Sequence, residues 1–232
     1  MPQSTRATHR LFGNAMKSVA VHAHSTRARA LFVCMTLALG ACSPLQPHPR
    51  ALVYDFGPGP VASSPSNRMA PLPALVLAEV DANAALDSTA VLYRLAYSDA
   101  QQLRPYAQAR WSMAPAQLLR QRLREHLGQR RAVLNAAQGM VVPPAALSLH
   151  LELDEFSQLF ESAERSSGLV RLRATVGQAA SGMERLVAQR SFVVQRPAST
   201  ADAAGGVRAL TSAADAVIDE IAVWLERAEK GR

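Results

Sequence analysis

Apolar and polar residues alternate most cleanly in the middle of the chain, in "LSLHLELDEF" at 147–156. Leu147, Leu149, Leu151 and Leu153 fall on one side, and Ser148, His150, Glu152 and Asp154 on the other. Successive side chains of a strand point to opposite faces, so this period of two predicts a half-buried strand of an antiparallel sheet. "LVRLRATVG" at 169–177 repeats the pattern, with Val170, Leu172, Ala174 and Val176 inward and Arg171 and Arg173 outward. "RLVAQRSFVVQ" at 185–195 predicts a further strand, ended by Pro197. Nearer the N-terminus, strands are predicted at 51–57 ("ALVYDFG"), 73–80 ("PALVLAEV"), 88–99 ("STAVLYRLAYSD", a hairpin arm) and 131–135 ("RAVLN"). The prolines and serines of 60–73 read as loop.

Two segments switch to helical spacing. Leu119, Leu123 and Leu127 form one stripe, with Ser112 as the expected cap, Pro115 in the first turn and Gly128 as the stop. The second helix, 202–228, carries Val207, Leu210, Ala214, Val217, Ile221, Trp224 and Ala228 at steps of three and four. Its Gly205-Gly206 pair reads as a flexible entry. This order of elements predicts an α+β domain: a mostly antiparallel sheet with two main helices packed on it. No internal repeat is evident.

The N-terminus has a different character. Residues 1–29 hold Arg6, Arg10, Lys17, Arg27 and Arg29 and no acid; the first carboxylate is Asp55. About a dozen apolar residues follow, too few for a bilayer, which takes roughly 20. A buried core helix would show polar positions at helical spacing, and Leu31 to Ala41 has none beyond Thr36. A basic leader followed by a short apolar run and small residues is the layout of a secretory signal peptide. Leu39-Gly40-Ala41-Cys42 ends it and resembles a bacterial lipobox. The resemblance implies diacylglyceryl transfer to the Cys42 thiol, cleavage between Ala41 and Cys42, and an N-acyl chain on the new terminus. Small residues let a peptidase reach the backbone, and the acyl donor needs a free thiol. Two or more chains hold a protein on a membrane stably where one does not.

The expected organisation is therefore a signal peptide at 1–41, an acylated Cys42 with a proline-rich tether to residue 50, and one domain at 51–232. Met16, followed by Lys17, is an alternative start. Cys34 leaves with the leader, so no thiol remains for a disulfide, a metal site or a nucleophile. Charge changes meaning as well. The 232-residue chain carries +7, but residues from Cys42 onward keep 20 basic against 18 acidic groups, about +2. The basic excess thus belongs to the leader and gives no reason to invoke nucleic acid. An aspartate after the cysteine retains enteric-type lipoproteins at the inner membrane; Ser43 favours the periplasmic face of the outer membrane.

Candidate chemistry is sparse. His150, Glu152 and Asp154 share a strand face, but the first and third lie about 13 Å apart at Cα, too far to close on one ion. A solvated polar face is the simpler reading, and no metal or diffusible cofactor is expected beyond the covalent lipid on Cys42. There is no Gly-x-Ser-x-Gly elbow, helical His pair or phosphate-cradling loop, so an enzyme is not expected. Arg120, Arg122, Arg124, Arg130 and Arg131 read as a solvated helix face, or as a patch meeting acidic lipid or nucleic acid. Trp111, beside Arg110 at the helix entry, either locks the helix to the sheet or presents a partner-binding edge.

"LGAC", "YDFGP", "YRLAYSDAQQLRPYAQARWSMAPAQLLRQRL" and the final Trp-bearing helix together resemble the ABC-type transport auxiliary lipoprotein family, PqiC-like. The resemblance implies a non-catalytic outer-membrane lipoprotein. It would dock an MCE-domain periplasmic protein, with its ABC permease and ATPase, and so help move phospholipid or other hydrophobic molecules between membranes. Family members also form homo-oligomeric rings. Tyr93, Arg94, Tyr106, Arg110 and Trp111 are the family-matching positions, with structural or partner-contact roles. An envelope-assembly or peptidoglycan-associated lipoprotein is the alternative.

Overall fold

The computed structural model of the protein describes residues 50–59, 72–135, 143, 146–180 and 183–231. The leader, Cys42 with most of its tether, and residues 60–71 of the loop expected at 60–73 lie outside the described residues; the last two residues of that loop, Leu72 and Pro73, belong instead to a strand. Among the described residues, eight strands and two helices follow in chain order: β1 (Leu52–Tyr54), β2 (Leu72–Ala82), β3 (Ala90–Leu95), β4 (Asp99–Trp111), α1 (Pro115–Gly128), β5 (Arg131–Leu134), β6 (Leu147–Phe160), β7 (Ser166–Ala180), β8 (Met183–Pro197) and α2 (Ala203–Lys230).

The strand with the cleanest alternation organises the sheet. β6 gives one whole edge to β7, antiparallel, from Leu147↔Gln178 to Phe160↔Ser166. Its other edge is shared. β2 runs parallel to the first half, reaching Ala82↔Leu153, and β3 runs parallel to the last residues, from Tyr93↔Gln158 to Leu95↔Phe160. The ladder shifts register between Leu153 and Glu155, between the reach of the two neighbours. β4 pairs β3 antiparallel, β1 lies parallel on β4, β5 lies parallel on β2, and β8 pairs β7 antiparallel.

The sheet is therefore mixed, not mostly antiparallel as expected. Alternation reports which face of a strand is buried and carries no information about the direction of its neighbours. Parallel neighbours need a crossover, and the chain between β2 and β6, with α1 in it, supplies one.

The predicted leucine face of β6 is the core. Leu147, Leu149, Leu151 and Leu153 are buried with Val170, Leu172, Ala174 and Val176 of β7. α2 packs on β6, β7 and β8, α1 packs on β2 and β5, and the helices touch each other. Val207, Leu210, Ala214, Val217 and Ile221 of the predicted stripe are buried, and Trp224 is half-buried, edge-on to Phe192. Helix and sheet come very close at Gly168 of β7, where an added Cβ would stand 2.5 Å from the backbone of Ala209 and Leu210. Backbone cannot swing aside as a side-chain tip can. Gly168→Ala is expected to cost about 1–3 kcal/mol by overpacking, measured by denaturant unfolding.

Three local expectations change. Ser112 does not cap α1: Ala114 holds the cap position with no side-chain bond. The Ser112 N–H instead donates to the Tyr54 carbonyl at 2.7 Å, extending the β1–β4 ladder. Gly205 and Gly206 are not a flexible entry. Both are buried, Gly205 against Thr200 and Gly206 against the Gln158 side chain, where a Cβ would not fit. β4 was overlooked, since "QQLRPYAQARW" has no apolar alternation. Most of its residues are exposed or half-buried, and it is a strand because β3 supplies the ladder. Pro105 sits where β1 does not reach, the edge situation in which strands accept proline.

Candidate functional site

The five family-matching positions sit on β3 and β4 and divide between environments. Tyr93 and Tyr106 come together, ring centroids 4.6 Å apart, with Phe160 edge-on to Tyr93 at 6.0 Å. The Tyr106 hydroxyl donates to Gln158 Oε1 at 2.8 Å, and Gln158 Nε2 donates to Ser166 Oγ at 2.7 Å. Gln158 and Ser166 are buried, so this relay satisfies polar groups that would otherwise be stranded. Burial first, then the neighbouring Tyr93 and Asp202, pushes the Tyr106 phenol well above its ordinary range. It remains a protonated donor at physiological pH.

Arg94, the next residue on β3, takes the opposite direction. Its Nε and Nη2 meet Glu155 Oε1 and Oε2 at 3.2 and 3.0 Å, and Nη1 reaches the Ala100 and Gln101 carbonyls. Ser157 Oγ donates to the same carboxylate at 2.6 Å. A two-toothed guanidinium–carboxylate fork is directional as well as strong; here it pins the β3–β4 hairpin to β6 just after the register shift. Arg110 Nη1 donates to the Tyr106 and Ala109 carbonyls at 2.6 and 2.9 Å. Trp111 is 2 % exposed. Its ring lies edge-on to Phe56 at 5.7 Å and to Phe156 at 5.6 Å, so the ring offers no free edge.

A family model described as the ABC-type transport auxiliary lipoprotein component matches residues 54–222, nearly the whole of the folded unit. The chain belongs to this family. A comparison with curated proteins gives no match. A solved protein from Xanthomonas campestris, assigned to the DUF330 family, shares 22% identity over 78% of this chain and 98% of its own, with a TM-score of 0.63. A second solved, uncharacterized protein shares 13% identity over 77% of this chain and 99% of its own, TM-score 0.54. At these identities the likeness is one of fold. Membership makes the chain a membrane-associated auxiliary component of ABC-type transport. Among the described residues no helix is long and apolar enough to cross a membrane.

In this auxiliary component the other predicted groups are spread out. His150 Nε2 lies 3.2 Å from Glu184, and Glu152 accepts from Arg173 at 3.2 Å. Among the described residues, no three His, Cys, Asp or Glu side chains are placed to hold a metal. The arginine set is the expected solvated face only in part: Arg130 is exposed and Arg120 and Arg124 are half-buried, but Arg122 and Arg131 are not on it. Arg122 is buried: Nη2 donates to the Phe56 carbonyl and Nε lies 3.1 Å from Asp215 Oδ1. Arg131 is buried against Glu229. Arg120 reaches Glu79 and the Ala78 carbonyl, and Arg130 reaches Glu226. These residues fasten α1 and β5 to their surroundings. Burial raises the Asp215 carboxyl despite Arg122 beside it.

Sequence reasoning missed Glu155, Gln158, Asp215 and Glu229. The adjacent acids Asp154 and Glu155, which break the alternation of β6, were the only local sign of the register shift. Among the described residues, one cleft of about 110 Å³ lies beside Arg122 and Asp215, and one of about 430 Å³ lies at the β6–β7 turn. The larger is an open cleft lined by Glu161, Glu164 and Arg165 together with Pro197 and Ala198, not an enclosed chamber of the kind that takes up an acyl chain.

Asp202 opens α2. Its Oδ1 accepts from the Gly205 N–H at 2.7 Å and from Thr200 Oγ1 at 2.8 Å. The Gly205 bond, then Thr200, holds the carboxyl below the usual carboxylate range. A depressed folded value means the gain is full above the unfolded pKa, about 3.9, and fades as pH falls through the folded value. Asp202→Ala is expected to lower Tm at neutral pH, and the gap should narrow under acid, as thermal melts across pH 2 to 7 would read.

Proposed function

We propose that the chain is a lipoprotein held by Cys42 on the periplasmic face of the outer membrane. There it acts as a non-catalytic docking component of an MCE-type ABC transporter carrying phospholipid or another hydrophobic molecule. The family match over 54–222 carries the reading. It leaves the leader and the Leu39-Gly40-Ala41-Cys42 motif just upstream of the matched domain, where a tethered adaptor needs them. The domain would bind its partner through surface: the family-matching side chains are engaged in internal bonds and packing. A homo-oligomeric ring belongs to the same proposal.

The partner test is co-purification from detergent-solubilised envelopes. An MCE-domain protein with its permease and ATPase is the expected catch; its consistent absence would sink the docking role. Metabolic labelling with palmitate checks the anchor: label is expected in the parent and lost in Cys42→Ser.

A further inference from the structure

Exposed apolar side chains gather at two edges of the sheet. Met183, Leu186 and Val193 lie on β8, and Leu52 and Val53 on β1, 63 % and 68 % exposed. The strand path β1-β4-β3-β6 continues through β7 to β8. The two edges are thus five strand spacings, about 24 Å, apart. Only one of them adjoins the segment that the proposed function ties to a bilayer.

From the β1 edge, we infer that Leu52 and Val53 rest on the anionic phospholipid surface to which Cys42 is anchored, with Arg50 facing headgroup phosphates. The inference rests on the lipid-anchor reading. Leu52 lies ten residue steps after Cys42, and an extended chain of that length reaches at most about 35 Å. The seat is thus within reach of the membrane that holds the anchor. Its chemistry fits an interface. β1 is three residues long and projects Leu52 and Val53 to opposite sides, so both flanks of this edge are apolar. Val53 lies opposite Arg110 in the ladder with β4, which places a half-buried cation beside an exposed apolar side chain. Arg50 is exposed two residues earlier. No acid occurs before Asp55, whose Oδ1 accepts from the Gly57 N–H at 2.7 Å. Apolar side chains flanked by cations, without an adjacent free acid, suit the boundary between headgroups and acyl chains.

The test uses the full, processed protein in phosphatidylethanolamine–phosphatidylglycerol vesicles, with and without lipids carrying a doxyl quencher. Val53→Cys and Leu52→Cys, labelled with an environment-sensitive dye, probe the seat; Val193→Cys probes the far edge. The parent, with Cys42 acylated and Cys34 removed, is expected to take no dye and to float with the vesicles. Probes at 52 and 53 should shift to the blue and lose most of their emission to the quencher, while the probe at 193 does not. A parent that takes dye, or does not float, overturns the anchor and the inference together. If the protein floats but probes at 52 and 53 stay in water, the anchor stands and the inference falls. A blue shift without lipid quenching assigns the edge to a protein partner or a second copy, and equal quenching at 193 denies it any special role; either result overturns the seat.

Discussion

Glu229→Ala is expected to remove about 3–5 kcal/mol of folding stability, although the residue sits in the last turn of the C-terminal helix. Glu229 takes both teeth of the Arg131 guanidinium, through Nη1 and, at 3.0 Å, Nη2. The two side chains are only 1 % and 10 % exposed. The cost arises from what is left behind: a cation out of water whose Nε already has no hydrogen-bond partner. Removing one member of such a pair is far more damaging than replacing both. The double variant Arg131→Met/Glu229→Leu is therefore expected to retain most of the lost stability, because well-packed apolar groups escape the desolvation cost. Urea unfolding of parent, both single variants and the double variant closes the cycle. If Glu229→Ala proves no worse than a surface substitution, the pair is not a buried fastening between β5 and α2.

That pair also marks where the sequence stops being legible. β6, β7 and α2 could be read because each has one face in the core and one away from it, so burial writes a period into the residues; β8 buries only Phe192 and Val194. β4 could not, since it is held by neighbouring backbone and buries little side-chain surface. Arg122 illustrates a subtler failure. The visible stripe Leu119, Leu123, Leu127 suggested that the arginines faced water. Leu118 is buried as well, and Arg122, one turn on, falls on the same flank. Its partner Asp215 and the Glu229 of Arg131 lie 93 and 98 residues downstream, so only the folded chain joins them. The same holds for Tyr106 with Gln158 and Arg94 with Glu155: one member of each contact stood out in the sequence, the other did not.

Trp111→Ala is expected to be comparably destructive, at about 3–5 kcal/mol, or a fall in Tm on the order of 6–20 °C for a domain of this size. The indole packs edge-on against both Phe56, which follows β1, and Phe156 of β6, whose rings stack on each other at 5.9 Å. Deleting it opens a void where three segments meet at the foot of α1. Trp111→Phe separates size from polarity. The buried indole N–H has no hydrogen-bond partner, and leaving such a donor unsatisfied costs about 1–3 kcal/mol. Phenylalanine loses volume but also loses that donor, so it is expected to remain within about 1.5 kcal/mol of the parent. The same variant tests the alternative role of this residue. With the ring 2 % exposed, Trp111→Phe should recover an MCE-domain partner as well as the parent does. A folded Trp111→Phe protein that loses the partner would show that the ring leaves the core to make the contact.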